Sequence, residues 1–297
     1  MGRDLRERFG ERVHKVALDT GFTCPNRDGS LGRGGCTFCN NETFAPGSKR
    51  KASLEEQLSK GAAVVRKRTG ASKILAYFQA YTNTYGSLEV LKDLWSRALR
   101  AEGVVGLSVG TRPDCVPQPV LEALARLQDQ GREIWLELGV QSMHQAALER
   151  VNRGHGPEAW IDASSRARAL GLRVCTHLIL GLPGEEREEV LSSHAEVLRH
   201  GTDGLKIHPL HVVRGSLMAA QWRQGSIRTL TRQEYASWTA DLVERTPSEI
   251  VFHRLTGTCE KELLLAPAWC ATKWDALNAL ESELRRRGTR QGTRTGG

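Results

Sequence analysis

Three cysteines crowd one short, glycine-rich stretch. In TCPNRDGSLGRGGCTFCN, eleven residues separate Cys24 from Cys36, and two separate Cys36 from Cys39. Thiolates are the soft ligands that hold iron-sulfur clusters and zinc. A [4Fe-4S] cluster normally takes four of them, so three leave one iron open to a small molecule, an arrangement suited to catalysis rather than storage. Structural zinc is the competing use, since a closely spaced Cys pair serves both metals. Zinc wants a fourth Cys or His at knuckle spacing, and none follows Cys39 closely, although His14 or a distant cysteine could supply it. Cys115, Cys175, Cys259 and Cys270 are scattered, with no second close pair. Seven cysteines in a chain without an export signal argue for metal or redox use rather than a disulfide framework.

Something must carry this loop, and the elements around it alternate. An apolar run at 14–19 reads as a strand, 21–47 as a long loop, and a helix follows in which Leu54, Leu58, Ala62 and Val65 share a face that Ser53 caps. Further strands read at 73–78, 104–109, 133–140, 172–180 and 204–210, with helical patterns between them. Runs that are apolar throughout mark strands covered on both faces, the signature of a parallel sheet. The expectation is an α/β fold, a partial TIM-like (β/α)6 barrel with its loop at the start. Residues 1–214 form the barrel in this reading. Residues 215–284 form a cap of the same domain, with a helix near 231–245, a strand at 249–255 and a closing helix near 271–287. The end, 285–297, carries five arginines and no acid and reads as a disordered basic tail.

The chain of 297 residues, 39% hydrophobic, can bury one sizeable core. No apolar run reaches the roughly 18 residues that cross a bilayer, and the N-terminus is charged where a signal peptide is apolar. A cytoplasmic location without membrane contact is therefore expected. The formal charge of +8 favours a polyanionic partner, nucleic acid first among them.

Read together, the motifs resemble the radical S-adenosylmethionine (SAM) superfamily. The nearest likeness is to the YhcC/YtqA-type family, with the radical-SAM domain of the Elongator catalytic subunit more distant. The resemblance rests on LDTGFTCPNRDG with GGCTFCN, YFQAYTNTY (77–85), GTRPDC (110–115), LELGVQS (136–142), NRGH (152–155), HLILGLPGE (177–185), DGLKIHPLHVVRGS (203–216) and HRLTG (253–257). These segments fall at strand ends, where barrel enzymes place their chemistry.

The resemblance implies that Cys24, Cys36 and Cys39 ligate a [4Fe-4S] cluster, and that Phe38 packs near the adenine of SAM. The stretch Gln79, Ala80 and Tyr81 stands where the superfamily holds the methionine amino group, without its usual Gly-Gly-Glu form. Ser108, Thr111, Glu137, Gln141 and Ser142 offer groups for the ribose and aminoacyl end, and Arg153 can pair with the SAM carboxylate through parallel hydrogen bonds. Arg112, Lys206, His208, His211 and Arg214 are the expected contacts of an anionic substrate, and Tyr81, Asn83 and Tyr85 of a splayed base. The implied activity is reduction of SAM to methionine and a 5′-deoxyadenosyl radical. Its implied target is the wobble uridine of tRNA, in a step from a carboxymethylaminomethyl to an aminomethyl side chain. A flavodoxin or ferredoxin would supply the electron. A radical-SAM enzyme of a small metabolite and a non-catalytic iron-sulfur or zinc module that regulates a partner stay open beside it.

Overall fold

The computed structural model describes residues 1–40 and 52–295. Seven parallel strands form one curled sheet, a half-barrel: β1 (Val13–Leu18), β2 (Lys73–Phe78), β3 (Val104–Thr111), β4 (Glu133–Gln141), β5 (Arg173–Leu180) and β6 (Gly204–Pro209), then β8 (Val251–Arg254) beyond the short β7 (Val212–Val213). Each of the seven pairs in parallel with its neighbour, in the order in which the chain supplies them. The six expected strands are present. The run at 249–255, assigned above to the cap, instead supplies the seventh strand and pairs with β6.

Alternation along each strand sorts the two faces. The outer face carries Ile74, Phe78, Leu107, Leu136, Leu138, Val174 and Ile207, all buried in one core beneath the helices. Several helices of the fold begin where a short polar side chain pairs the first backbone amides, and others at a proline. Ser53 and Glu56 make a reciprocal capping box at Leu54–Thr69, as Thr231 and Glu234 do at Arg232–Arg245. The inner face is different. Barrel interiors are usually filled by branched apolar residues, yet Lys15, Ser108, Glu137, His177, Lys206 and His253 point inward here and bond to one another.

The helix Gly2–Phe9 closes the end of the barrel away from the cysteine loop. Its Leu5 packs with Val13 and Leu75, Arg8 pairs with the buried Glu133 at 2.6 Å, and the terminal amine donates to the Phe252 carbonyl. At the other end of the chain, β7 and β9 (Leu264–Ala266) form a small antiparallel pair. No helix among the described residues is long and apolar enough to cross a membrane.

The expected disordered tail is corrected by the structure. The helix Lys273–Arg287 extends into it, and Arg287 pairs with Asp241, Glu244 and Glu283. Gln291 then donates to the Pro247 and Ile250 carbonyls, and Arg294 reaches Glu244 at 3.0 Å. Asp241 and Glu244, buried on the helix Arg232–Arg245, thus take up Arg287 and Arg294, two of the five arginines that composition alone left solvated. In the cysteine loop, Pro25–Asp28 forms one helical turn, and the part of the expected loop at 41–47 lies outside the described residues.

Candidate active site

The cysteine loop is built by its own backbone and by one neighbour. Cys24 precedes the turn Pro25–Asp28 and its carbonyl accepts from Arg27 and Asp28, which folds the chain back toward Cys36. Cys39 donates its amide to the Cys36 carbonyl at 2.9 Å, so the closely spaced pair forms a tight turn. The buried Asn26 then ties the loop to the segment after β4: its amide donates to the carbonyls of Asn152 (2.6 Å) and Arg153 (3.2 Å). Asn152 answers by donating to the Gly35 carbonyl at 2.8 Å.

Three cationic or amide groups face the sulfurs. Arg153 Nη1 lies 3.6 Å from Cys36 Sγ, Asn26 Nδ2 3.8 Å from the same sulfur, and Arg27 Nη1 3.9 Å from Cys39 Sγ. Burial and the neighbouring Cys36 push the Cys39 thiol up to about 11, against the pull of Arg27 and Arg153. Such a thiol stays protonated at neutral pH until a metal takes the proton's place.

Single-ion chemistry fits this set poorly. One zinc ion holds its thiolates within about 4 Å of one another, given Zn–S bonds near 2.3 Å. Among the described residues, the group of Cys, His or acidic ligand atoms lying mutually within 4.8 Å is Glu137, Cys175 and His177, not the cysteine triad. A wider frame is what an iron-sulfur cube needs.

A cavity of about 230 Å³ opens between this loop and the strand ends. Cys24, Cys36, Phe38 and Cys39 form one side; Gln79, Tyr81, Thr111, Arg112, Gln141 and Arg153 the rim; His177, Lys206, His208 and His211 the depth. Tyr81 (φ 61°) and Gln141 (φ 79°) hold left-handed backbone that side chains rarely adopt, and both line the cavity. Buried atoms without partners also mark the place: Arg153 Nε, Thr82 Oγ1 and His211 Nε2. At Gly139 a Cβ would meet Gln141 Nε2 at 2.7 Å and Arg153 Nη2 at 3.2 Å, so the missing side chain lets those two groups approach the β4 backbone.

Comparison with known proteins agrees with this geometry. Residues 24–196 match the family described as Radical SAM superfamily, and residues 202–286 the Radical_SAM C-terminal domain. This chain belongs to the radical SAM superfamily. It is 44% identical to Protein YhcC of Escherichia coli over 295 residues, covering 99% of this chain and 94% of that one. It is 31% identical over 173 residues to the tRNA uridine(34) acetyltransferase of Dehalococcoides mccartyi, covering 57% of this chain and 36% of that protein. In fold it resembles the archaeal Elp3 of Methanocaldococcus infernus (TM-score 0.74, 20% identity), covering 94% of this chain and 64% of that structure's chain.

The cofactors of this radical SAM enzyme are a [4Fe-4S] cluster and SAM, and the residues present suit them. Three cysteines with nearby guanidinium and amide donors can hold a cluster with one iron open, and the adjoining cavity can take the small molecule that binds there.

Of the residues expected at the site, thirteen line this one cavity: the three cysteines, Phe38, Gln79, Tyr81, Thr111, Arg112, Gln141, Arg153, Lys206, His208 and His211. Ala80, Ser108, Glu137, Ser142 and Arg214 do not. Ser142 is turned outward, donating to the Glu185 carboxyl and accepting from the His144 amide at 2.9 Å. Burial raises Glu185 to about 7, so near neutral pH its carboxyl exchanges between charged and neutral forms. Arg214 donates to the Glu262 carbonyl on the surface. Arg112 reaches the cavity but is committed to Asp114 through two bonds, of 2.9 and 2.7 Å, and to the Arg153 carbonyl at 2.8 Å. It braces the segment that carries Arg153. Asn83 likewise donates to the carbonyls of Phe78 and Gly110, and Tyr85 to Ser30, which uses those groups in holding the loop.

Glu137 lies beneath the cavity as the hub of the barrel interior. It accepts from Lys15, from Ser108, from Lys206 at 3.0 Å and from His177 at 2.7 Å. Burial alone would raise its carboxyl, but Lys15 and Lys206 outweigh that and hold it well below the ordinary range. Burial lowers Lys206 to about 8, with Glu137 pulling the other way, and Lys206 Nζ also lies 2.5 Å from Tyr77 Oη. Lys15, Tyr77, His253, Asn26 and Arg27 were not singled out from the sequence. The signal for the first three was a polar residue on the same alternating face as apolar neighbours, Lys15 between Val13 and Ala17, Tyr77 after Leu75 and His253 after Val251.

Proposed function

We propose that this radical SAM enzyme modifies RNA, at the wobble uridine of tRNA, converting a carboxymethylaminomethyl side chain to an aminomethyl one. The observation that carries this reading is the 31% identity to a tRNA uridine(34) acetyltransferase across 173 residues. The formal charge of +8 supports it, since a basic surface gains affinity for RNA by releasing counterions.

With cluster and SAM bound, one electron from a reducing partner such as flavodoxin or ferredoxin would give methionine and a 5′-deoxyadenosyl radical, which would take hydrogen from the carboxymethyl carbon; return of one electron to the cluster and hydrolysis of the resulting imine would break the C–N bond, leaving the aminomethyl group and releasing the two-carbon fragment as an aldehyde acid. The chain's own residues do the positioning. Arg153 holds the cluster loop through Cys36 and presents its guanidinium to the SAM carboxylate. Phe38, Gln79, Tyr81, Thr111 and Gln141 frame the rest of that molecule. The enclosing wall of His177, Lys206 and His208 keeps bulk water from the reacting carbon.

The test compares modified tRNA nucleosides in cells with and without this protein. Loss of the aminomethyl form with accumulation of its carboxymethylated precursor is expected. An unchanged profile, with no salt-sensitive tRNA binding by the purified enzyme, would move the reading to a small metabolite.

A further inference from the structure

Charge does not balance inside the half-barrel. Glu137 is the carboxylate at its centre, and it already serves both Lys15 and Lys206. Register places Arg254 on β8 opposite Lys206 on β6. Among the described residues Arg254 makes no ion pair; its contact is His208, whose Nε2 lies 3.5 Å from Arg254 Nη1. Two ammonium groups thus share Glu137, and a third cation, the half-buried Arg254, lies beyond His208. The imidazoles do not redress the balance with negative charge, and burial keeps His208 and His211 neutral near pH 7. A half-buried cation without a counterion still carries a desolvation cost, so an interior of this kind is complementary to an anion that arrives with a ligand.

Geometry says where. Lys206, His208 and His211 line the cavity, with Arg254 outside its lining, and the buried His211 Nε2 has no side-chain partner, the Gly257 backbone being its near neighbour. Gly257 leaves room for both rings: a Cβ at that position would meet His208 Nδ1 at 2.6 Å and His211 Cε1 at 2.9 Å. Both imidazoles therefore pack close to this stretch of backbone, which any larger residue would displace. The depth of the pocket also selects the anion. Lys206 is 5% exposed at the floor of the chamber, whereas a nucleic-acid phosphate sits between two riboses and cannot be lowered that far. A carboxylate at the end of a short side chain can.

We propose that Lys206, Arg254 and His211 form a subsite, on the β6–β8 side of the chamber, that binds a carboxylate of the substrate. The carboxymethyl group of the substrate proposed above meets that description, and to that extent the subsite deepens that reading. Lys206 and His211 would donate to the carboxylate oxygens, while Arg254, from behind His208, supplies the uncompensated charge.

The test uses the anaerobically reconstituted protein and ¹³C-labelled acetate, followed by NMR line broadening, with acetamide as the neutral control and inorganic phosphate as competitor. Wild type is expected to broaden acetate and not acetamide. Loss of a charge-assisted bond should weaken acetate binding by about tenfold or more in Lys206→Met, and loss of the charge behind His208 by about threefold or more in Arg254→Gln. Lys206→Met also strips Glu137 of a partner, so Arg254→Gln, which breaks no ion pair, keeps the test decisive if the first variant misfolds. Equal broadening of acetate and acetamide, or undiminished acetate binding by a folded Arg254→Gln protein, overturns the subsite. Phosphate binding more tightly than acetate overturns the choice of a carboxylate. Acetate binding as expected alongside unchanged tRNA nucleosides supports the subsite and removes the RNA reading, so the two proposals fail separately.

Discussion

Arg153 and Cys36 are joined across the mouth of the barrel: the guanidinium Nη1 lies 3.6 Å from the sulfur, while Nη2 donates to the Gly139 carbonyl on β4. One side chain thereby sets the position of the cysteine loop relative to the strand ends. Lysine carries the charge but lacks the planar fork that makes both contacts. Arg153→Lys should retain the iron content of the wild type and lose about 10-fold to 100-fold in 5′-deoxyadenosine formation, the loss expected of a charge-assisted hydrogen bond. Unaltered turnover would remove Arg153 from the site.

Glu137 neutralises two buried ammonium groups, so replacing it with an isosteric amide should harm the fold before it harms the chemistry. Glu137→Gln leaves Lys15 and Lys206 facing each other without a counterion. Breaking a buried pair in this way costs about 3–5 kcal/mol. A urea midpoint equal to that of wild type would contradict the central place given to this carboxylate.

Burial lowers His177, His194 and His211 to about 4 and His155 and His253 to about 3. The unfolded chain binds protons at these sites near the ordinary value of 6.5, so between that value and about 4 the unfolded state holds more protons than the folded one. Stability should fall as pH drops through that window and lose nothing from these groups above it. Urea midpoints followed from about pH 7 to about pH 5 test this, each such imidazole adding up to about 1.4 kcal/mol per pH unit. A flat profile would mean that the imidazoles are not buried as described.

The C-terminal stretch is part of the fold. Removing residues 288–297 deletes the bonds of Gln291 to Pro247 and Ile250 and the contact of Arg294 with the buried Glu244. Stability should drop by about 1–3 kcal/mol, the cost of leaving buried polar groups unpaired. Denaturation of the truncated chain gives the answer, and an unchanged midpoint would restore the picture of a loose basic tail.

The strands of the barrel and the cysteine loop were legible because their signals are local: apolar runs, a capping serine at 53, three sulfurs in one stretch. What escaped was set by partners distant in sequence. The strand Val251–Arg254 reads as part of the cap because β7 and two helices intervene before it returns to β6. The basic end looks solvated until Asp241, Glu244 and Glu283 meet its arginines. Ser142 follows the inward Gln141 in the chain, yet Glu185 draws its hydroxyl outward. Glu137 was expected at the ribose and aminoacyl end of SAM but does not line the cavity; its neighbours Lys15 and His253 come from opposite ends of the chain, and no local pattern joins them.

The most direct test is the metal content of protein purified and reconstituted without air, in wild type and in single Ala variants of Cys24, Cys36 and Cys39. Wild type should carry about four iron and four sulfide per chain and form 5′-deoxyadenosine from SAM on reduction, while each variant loses the nucleoside product. Cys115→Ala, which leaves the triad intact, should keep both. A wild-type protein that is iron-free, or that holds a single zinc ion, and yet retains its activity would contradict the account.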